Sequence, residues 1–205
     1  MGAMRIYGDL GSGNCLKVKW TVERLGLPYD WVPIDIMKGE SRTPDYLAKF
    51  PQGQVPAVEW PDGRCLAQSN AIIRYLASGS ALLPEDAFER AKVDEWLFWE
   101  QYSHEPYVAT TRYHVVYLKR SLAEREAWRV ERGEKALDFL ERRLTAKRFL
   151  VADRFSIADI ALVAYTRLAP EGGFDLAGRQ AVRTWIAACE AELSLAPLQV
   201  AAGAP

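Results

Sequence analysis

The sequence predicts an α+β protein: a small mixed sheet with helices in the first part, then an all-helical second part. Three observations carry this. Short stretches rich in β-branched and aromatic residues alternate with helical periodicity only up to about residue 80. Asp62-Gly63 between two apolar stretches marks a hairpin. From Phe88 onward the periodicity is almost purely helical.

The elements follow in order. Arg5-Ile6-Tyr7-Gly8 is a short strand, and Gly11-Ser12-Gly13-Asn14 a turn. Cys15 to Leu25 reads as a helix with Val18, Val22 and Leu25 on one stripe, Lys19 and Trp20 off it, and Gly26 as its left-handed stop. Tyr29 to Ile36 alternates like a second strand, completing a βαβ unit. Thr43-Pro44-Asp45 starts a short helix that reaches Phe50. The hairpin pairs Ala57–Trp60 with Cys65–Ala67, and Ser69 to Ala77 is a helix with Ile72, Ile73 and Leu76 inward. Residues 1–80 thus form one domain, 81–87 a linker with Leu82-Leu83-Pro84, and 88–205 a helical domain. Its helices fall at about 88–118, 122–146, 156–168 and 180–192. Ser156 and Asp159 form a capping box, with Phe155 and Ile160 at hydrophobic-staple positions; losing such a cap costs ~1 kcal/mol.

Composition narrows the function. The 205 residues are 49% hydrophobic and 26% charged, enough to bury a core. Twenty-six basic against 27 acidic side chains give a net charge of -1, which offers no electrostatic footprint for nucleic acid or an anionic membrane. No apolar run approaches the ~20 residues that span a bilayer, and the start shows no secretory signal. Cys15, Cys65 and Cys189 are odd in number and far apart, which points to a reducing cytoplasm and not to a disulfide framework. Gly11-Ser12-Gly13 lacks the third glycine of a dinucleotide fingerprint, since position 16 is Leu16. His104 and His114 have no partner at zinc spacing, so no metal is expected.

A β-α-β-α-β-β-α order with a turn after the first strand is the thioredoxin-like pattern. Redox members carry Cys-x-x-Cys there; this chain reads Ser12-Gly13-Asn14-Cys15, so a dithiol cycle cannot run. The helix N-terminus still favours an anion, and the simplest use is to hold a thiolate supplied by another molecule. Gln54-Val55-Pro56 precedes the hairpin. With the Val55–Pro56 bond cis, the Val55 backbone would face an extended peptide. Ser69 would cap the next helix, whose free amides suit a carboxylate.

Four segments carry a family resemblance along the whole chain: Ser12–Cys15, Gly53–Pro56, Gln68-Ser69-Asn70-Ala71-Ile72 and Phe155–Ile160. Taken together, in this order, they resemble the soluble, cytosolic-type bacterial-like glutathione S-transferases of the serine type. The resemblance implies a cytoplasmic homodimer using glutathione as cosubstrate against a small hydrophobic electrophile. It implies Ser12 and Asn14 as catalytic, with Ser12 donating to the glutathione sulfur. Lys38, Gln54, Val55, Pro56, Gln68 and Ser69 would bind glutathione, with Lys38 and Gln54 at its glycyl carboxylate. Gln68 stands where family members often carry Glu. Tyr102, Arg112 and Tyr165 would line the electrophile pocket. Tyr7 is the alternative sulfur donor, with core packing as its plainer role, and Cys15 reads as a buried small side chain. The rival activities are a glutathione-dependent peroxidase or disulfide reductase, and a non-enzymatic glutathione or hydrophobic-ligand binding protein.

Overall fold

The computed structural model describes residues 2–197, which fold as two units divided between Glu85 and Asp86. The first is built on a four-stranded sheet in the order β2-β1-β3-β4. β1 (Met4–Gly8) pairs in parallel with β2 (Tyr29–Pro33) and antiparallel with β3 (Ala57–Glu59), so that Ile6 lies opposite both Trp31 and Val58. β4 (Cys65–Ala67) closes the expected hairpin, with Val58 opposite Leu66. β2 stops at Pro33, short of the expected Ile36. Ile34 N makes one further bond to Gly8 O at 3.0 Å, and then Asp35 Oδ1 accepts from the Met37 and Lys38 amides and turns the chain.

α1 (Gly13–Arg24) is the crossover between β1 and β2. Its buried surface is wider than one stripe: Cys15, Lys17, Val18, Trp20 and Val22 are all buried. The expectation that Trp20 lies off the buried face is therefore corrected. α1 packs on α3 (Ser69–Leu76) while Cys15 lies against Gly8 of β1, so more than one side is covered. A Cβ on Gly8 would come within 2.7 Å of Trp31 and 3.1 Å of Cys15 Sγ, so this position requires glycine. α2 (Pro44–Lys49) has its proline in the first turn and delivers Tyr46 to a cluster with Tyr7, Phe50 and Ala57, against which Val55 packs.

The second unit is helical: α4 (Ala87–Trp99), α5 (Glu105–Val116), α6 (Ala127–Leu144), α7 (Ile157–Thr166) and α8 (Gln180–Glu192). The sequence suggests one helix over 88–118; it is interrupted by a π-helical turn at Glu100–His104. Pro106 explains the break. It has no N–H to donate one turn back, and its ring crowds that carbonyl, so the widened turn absorbs the misfit. All ten residues of α7 are buried, which makes it the axis of the unit. Its capping box forms as expected, with Ser156 N donating to Asp159 Oδ2 at 3.0 Å. Asp159 does more than cap: Oδ1 also accepts from Leu150 N at 3.0 Å and from Trp185 Nε1 at 2.9 Å. Among the described residues no helix is long and apolar enough to cross a membrane.

Candidate functional site

Two helix N-termini of the first unit meet. Ser12 is the N-cap of α1 with extended backbone (φ -89°, ψ 121°), and its carbonyl accepts from Leu16 N at 3.0 Å. The side chain makes no cap bond. The hydroxyl is thus not spent on the helix, as a turn serine's normally is. It instead donates towards Cys15 Sγ. Asn14 Oδ1 accepts from Ser69 Oγ at 3.0 Å, tying the start of α1 to the start of α3. The leading amides of both helices have no intrahelical acceptors, and both dipoles present their positive ends. The arrangement suits a ligand with two negative groups, such as a thiolate and a carboxylate.

Cys15 is fully buried. Its thiol is pushed up to about 12 by burial, against lowering contributions from the Asp9 amide and the Ser12 hydroxyl. It therefore stays protonated near neutrality and is no nucleophile. Tyr7 is not the sulfur donor either. Its hydroxyl donates to Glu59 Oε2 at 2.6 Å, its ring packs edge-on against Tyr46 and Phe50, and burial raises its pKa.

The Val55–Pro56 bond is cis. Two contacts hold the segment before it: Val55 packs on the Tyr7–Tyr46–Phe50 cluster, and the Tyr46 hydroxyl donates to Gln54 O at 2.7 Å. Gln68 has φ 70° and ψ 110°, a conformation that costs a non-glycine residue about 1–3 kcal/mol and clusters at binding sites. It holds the Gln68 side chain against two others: Nε2 donates to Gln52 Oε1 at 2.7 Å and to Gln54 Oε1 at 3.4 Å. Ser69, next in line, is buried at the first position of α3.

Lys38 is the poorest fit of the expected binding residues. Its side chain is 76% exposed and pairs with Asp35 at 3.1 Å, within its own turn. The cation that touches the glutamine cluster is Arg42, whose Nη1 donates to Gln52 O at 3.0 Å. Arg42 also covers Gly53 (φ 60°), where a Cβ would meet it at 2.6 Å. Gln52 and Arg42 were missing from the sequence reading. The Gln52-Gly53-Gln54 repeat was the available signal for the first; nothing local marked the second.

The three residues assigned to the electrophile pocket sit in different settings within the helical unit. Tyr102 is on the π-helical turn and 82% exposed. Tyr165 lies in α7, almost wholly buried. Arg112 is buried, and its Nε and Nη2 bond Glu171 Oε2, each at 2.7 Å. That pair joins α5 to the turn at Ala169–Gly172, where the backbone of Gly172 lies against Arg112 itself. Its charge is used within the fold.

Comparison with known proteins points to one family. Residues 2–78 match the family model described as the N-terminal domain of glutathione S-transferase, and residues 120–188 the model of its C-terminal domain. A probable glutathione S-transferase of rice, Oryza sativa subsp. japonica, is 33% identical over 175 residues, covering 81% of this chain and 80% of the relative. The crystal structure of a glutathione S-transferase from Pseudomonas fluorescens superposes with a TM-score of 0.88 at 44% identity, covering 92% of this chain and 95% of the other. That of a glutathione transferase homolog from Drosophila mojavensis, solved with bound glutathione, gives 0.84 at 28% identity, covering 95% and 92%.

Proposed function

This chain belongs to the glutathione S-transferase family, and from that membership we propose that Ser12 is the hydroxyl that stabilises the glutathione thiolate. The protein is a transferase with glutathione as cosubstrate. The observation that carries the Ser12 reading is its hydroxyl, which caps no amide of its own helix and turns towards a thiol that burial keeps protonated. A thiol of pKa near 8.5 is only a few per cent ionised at pH 7. Lowering it by ~2 units takes ~2.7 kcal/mol, within reach of one charge-assisted hydrogen bond and a helix end.

In this reading the γ-glutamyl carboxylate lies on the amides leading α3, with Ser69 and Gln68. The peptide runs along the Val55 backbone ahead of Pro56. Gln54 meets the glycyl carboxylate, with Arg42 as its cation and Lys38 in a supporting role. Asn14 braces the two helix starts. The first 80 residues bind glutathione. The helical residues, Tyr102 and Tyr165 among them, take a small hydrophobic electrophile. The enzyme acts in the cytoplasm as a homodimer. The thiolate attacks the electrophilic carbon and the leaving group departs with its electron pair; the protein contributes thiolate stabilisation and proximity.

Buried, protonated Cys15 disfavours a reductase that works through the protein's own thiol. Parallel assays with a chloronitrobenzene and an organic hydroperoxide test the assignment. Conjugation that falls in Ser12→Ala and persists in Cys15→Ala supports it. Hydroperoxide turnover that needs Cys15 and not Ser12 would overturn it.

A further inference from the structure

We propose that Asp9 is the positioning residue for the Ser12 hydroxyl: its oxygen atoms hold the turn that aims Ser12, while its charge opposes a thiolate at the same turn. The inference rests on the Ser12 reading of the site. β1 ends at Gly8 and α1 begins at Gly13, so the connection is only four residues long. Asp9 makes three bonds across it. Its Oδ1 accepts from Gly11 N at 2.8 Å, an Asx turn. Its carbonyl accepts from Ser12 N at 3.0 Å, and its own amide donates to Cys15 Sγ at 3.4 Å. The Ser12 side chain bonds no amide of α1, so its direction is set by the backbone beneath it and by the thiol it turns towards. Asp9 bonds the backbone just before Ser12, the amide of Ser12 itself, and that thiol.

The charge of the same side chain has the wrong sign for the reaction. Burial is the main cause of the raised Cys15 thiol, and the Asp9 carboxylate adds to it. A glutathione sulfur held by Ser12 stands at the same turn and meets the same field, which favours the neutral thiol. Lys17 acts in the opposite sense; it is buried on α1, with Nζ 3.4 Å from Asn70 Oδ1. Ser69 and Asn70 of α3 carry no charge. On the sheet, Tyr7 is bonded to Glu59, which is itself paired with Lys49 and Arg5. The shape and the charge of Asp9 thus pull a bound thiol in opposite directions. An amide oxygen can hold the same Asx turn without the charge, so the two effects separate by substitution.

The test is the ultraviolet titration of the thiol of glutathione bound to the full-length protein, in wild type, Asp9→Asn, Asp9→Ala and Ser12→Ala. Binding of S-hexylglutathione, which has no free thiol, checks that each variant keeps a folded site. Asp9→Asn keeps the accepting oxygen and loses the charge, so its bound-thiol pKa should fall about 0.5–1 unit below wild type. Asp9→Ala also releases the turn, so its pKa should rise by about 1 unit, towards that of Ser12→Ala. Asp9→Glu keeps the charge and misplaces the oxygen; it should rise as well, and it replaces the alanine variant if that one does not fold. A pKa that moves in the same direction in Asp9→Asn as in Asp9→Ala or Asp9→Glu, or that stays at the wild-type value in all of them while Ser12→Ala rises, would overturn the proposal and leave the Ser12 reading standing. An unchanged pKa in Ser12→Ala would remove that reading and the proposal with it.

Discussion

At the scale of single residues, the chemistry turns on which side chains the fold leaves unspent. Ser12, Asn14 and Cys15 lie within four positions of one another and end up with separate roles. Cys15 is sealed under Gly8 and Trp31 with its thiol near 12. Asn14 is tied to Ser69, and Ser12 keeps a hydroxyl that no helix amide uses. We predict that Cys15→Ala leaves turnover within about 3-fold of wild type, because a protonated buried thiol can be lost without removing a reacting group. Steady-state conjugation kinetics check this, and a loss of two orders of magnitude would contradict it. Ser12 and Asn14 were legible because the Ser-x-x-Cys spacing fixes where the turn meets the helix. The pairing of Arg112 with Glu171 was not, since no sequence pattern joins residues 59 positions apart. Lys38 and Arg42 are equally cationic in the sequence; only the turn held by Asp35 decides which one reaches the glutamines.

At the scale of elements, α7 and its cap carry the largest correction in magnitude. A capping box by itself is worth ~1 kcal/mol. Asp159 in fact receives four donors, from Ser156 N and Oγ, Leu150 N and Trp185 Nε1. Removing the carboxylate leaves the Leu150 amide and the Trp185 indole buried without an acceptor, so Asp159→Ala should cost ~3 kcal/mol or more by denaturant titration. A cost near ~1 kcal/mol would mean those donors find other acceptors. The carboxyl also has a pH signature. Burial raises it from 3.8 to about 6 in spite of its donors. The native state therefore takes up this proton before the unfolded chain does. This group's contribution to stability then rises as pH falls from above 6 towards 4, and levels off once both states are protonated. Asp159→Asn should remove that slope from the difference between variant and wild type; a difference that does not change across the window would contradict it. The capping box and hairpin were legible from local patterns. The π-helical turn was not, because Pro106 lies inside a helical pattern whose local widening depends on packing.

At the scale of the whole molecule, the order of elements was legible from turn chemistry and periodicity, and that order alone put Ser12, Val55 and Ser69 into one unit. Cross-chain contacts such as Gln68 with Gln52 required the fold itself. Glutathione at 100 times its dissociation constant should stabilise the native protein by ~2.7 kcal/mol, read as a rise in melting temperature. No rise would separate this chain from glutathione binding altogether. The central claim is that the folded protein lowers the pKa of a bound thiol through Ser12 and the start of α1. It is tested most directly by titrating the ultraviolet thiolate absorbance of enzyme-bound glutathione in wild type, Ser12→Ala and Cys15→Ala. The account predicts a bound-thiol pKa ~2 units below that of free glutathione in wild type and in Cys15→Ala, and a rise of 1–2 units, roughly 1.4–2.7 kcal/mol, in Ser12→Ala. An unchanged pKa in Ser12→Ala, or a rise confined to Cys15→Ala, would contradict it.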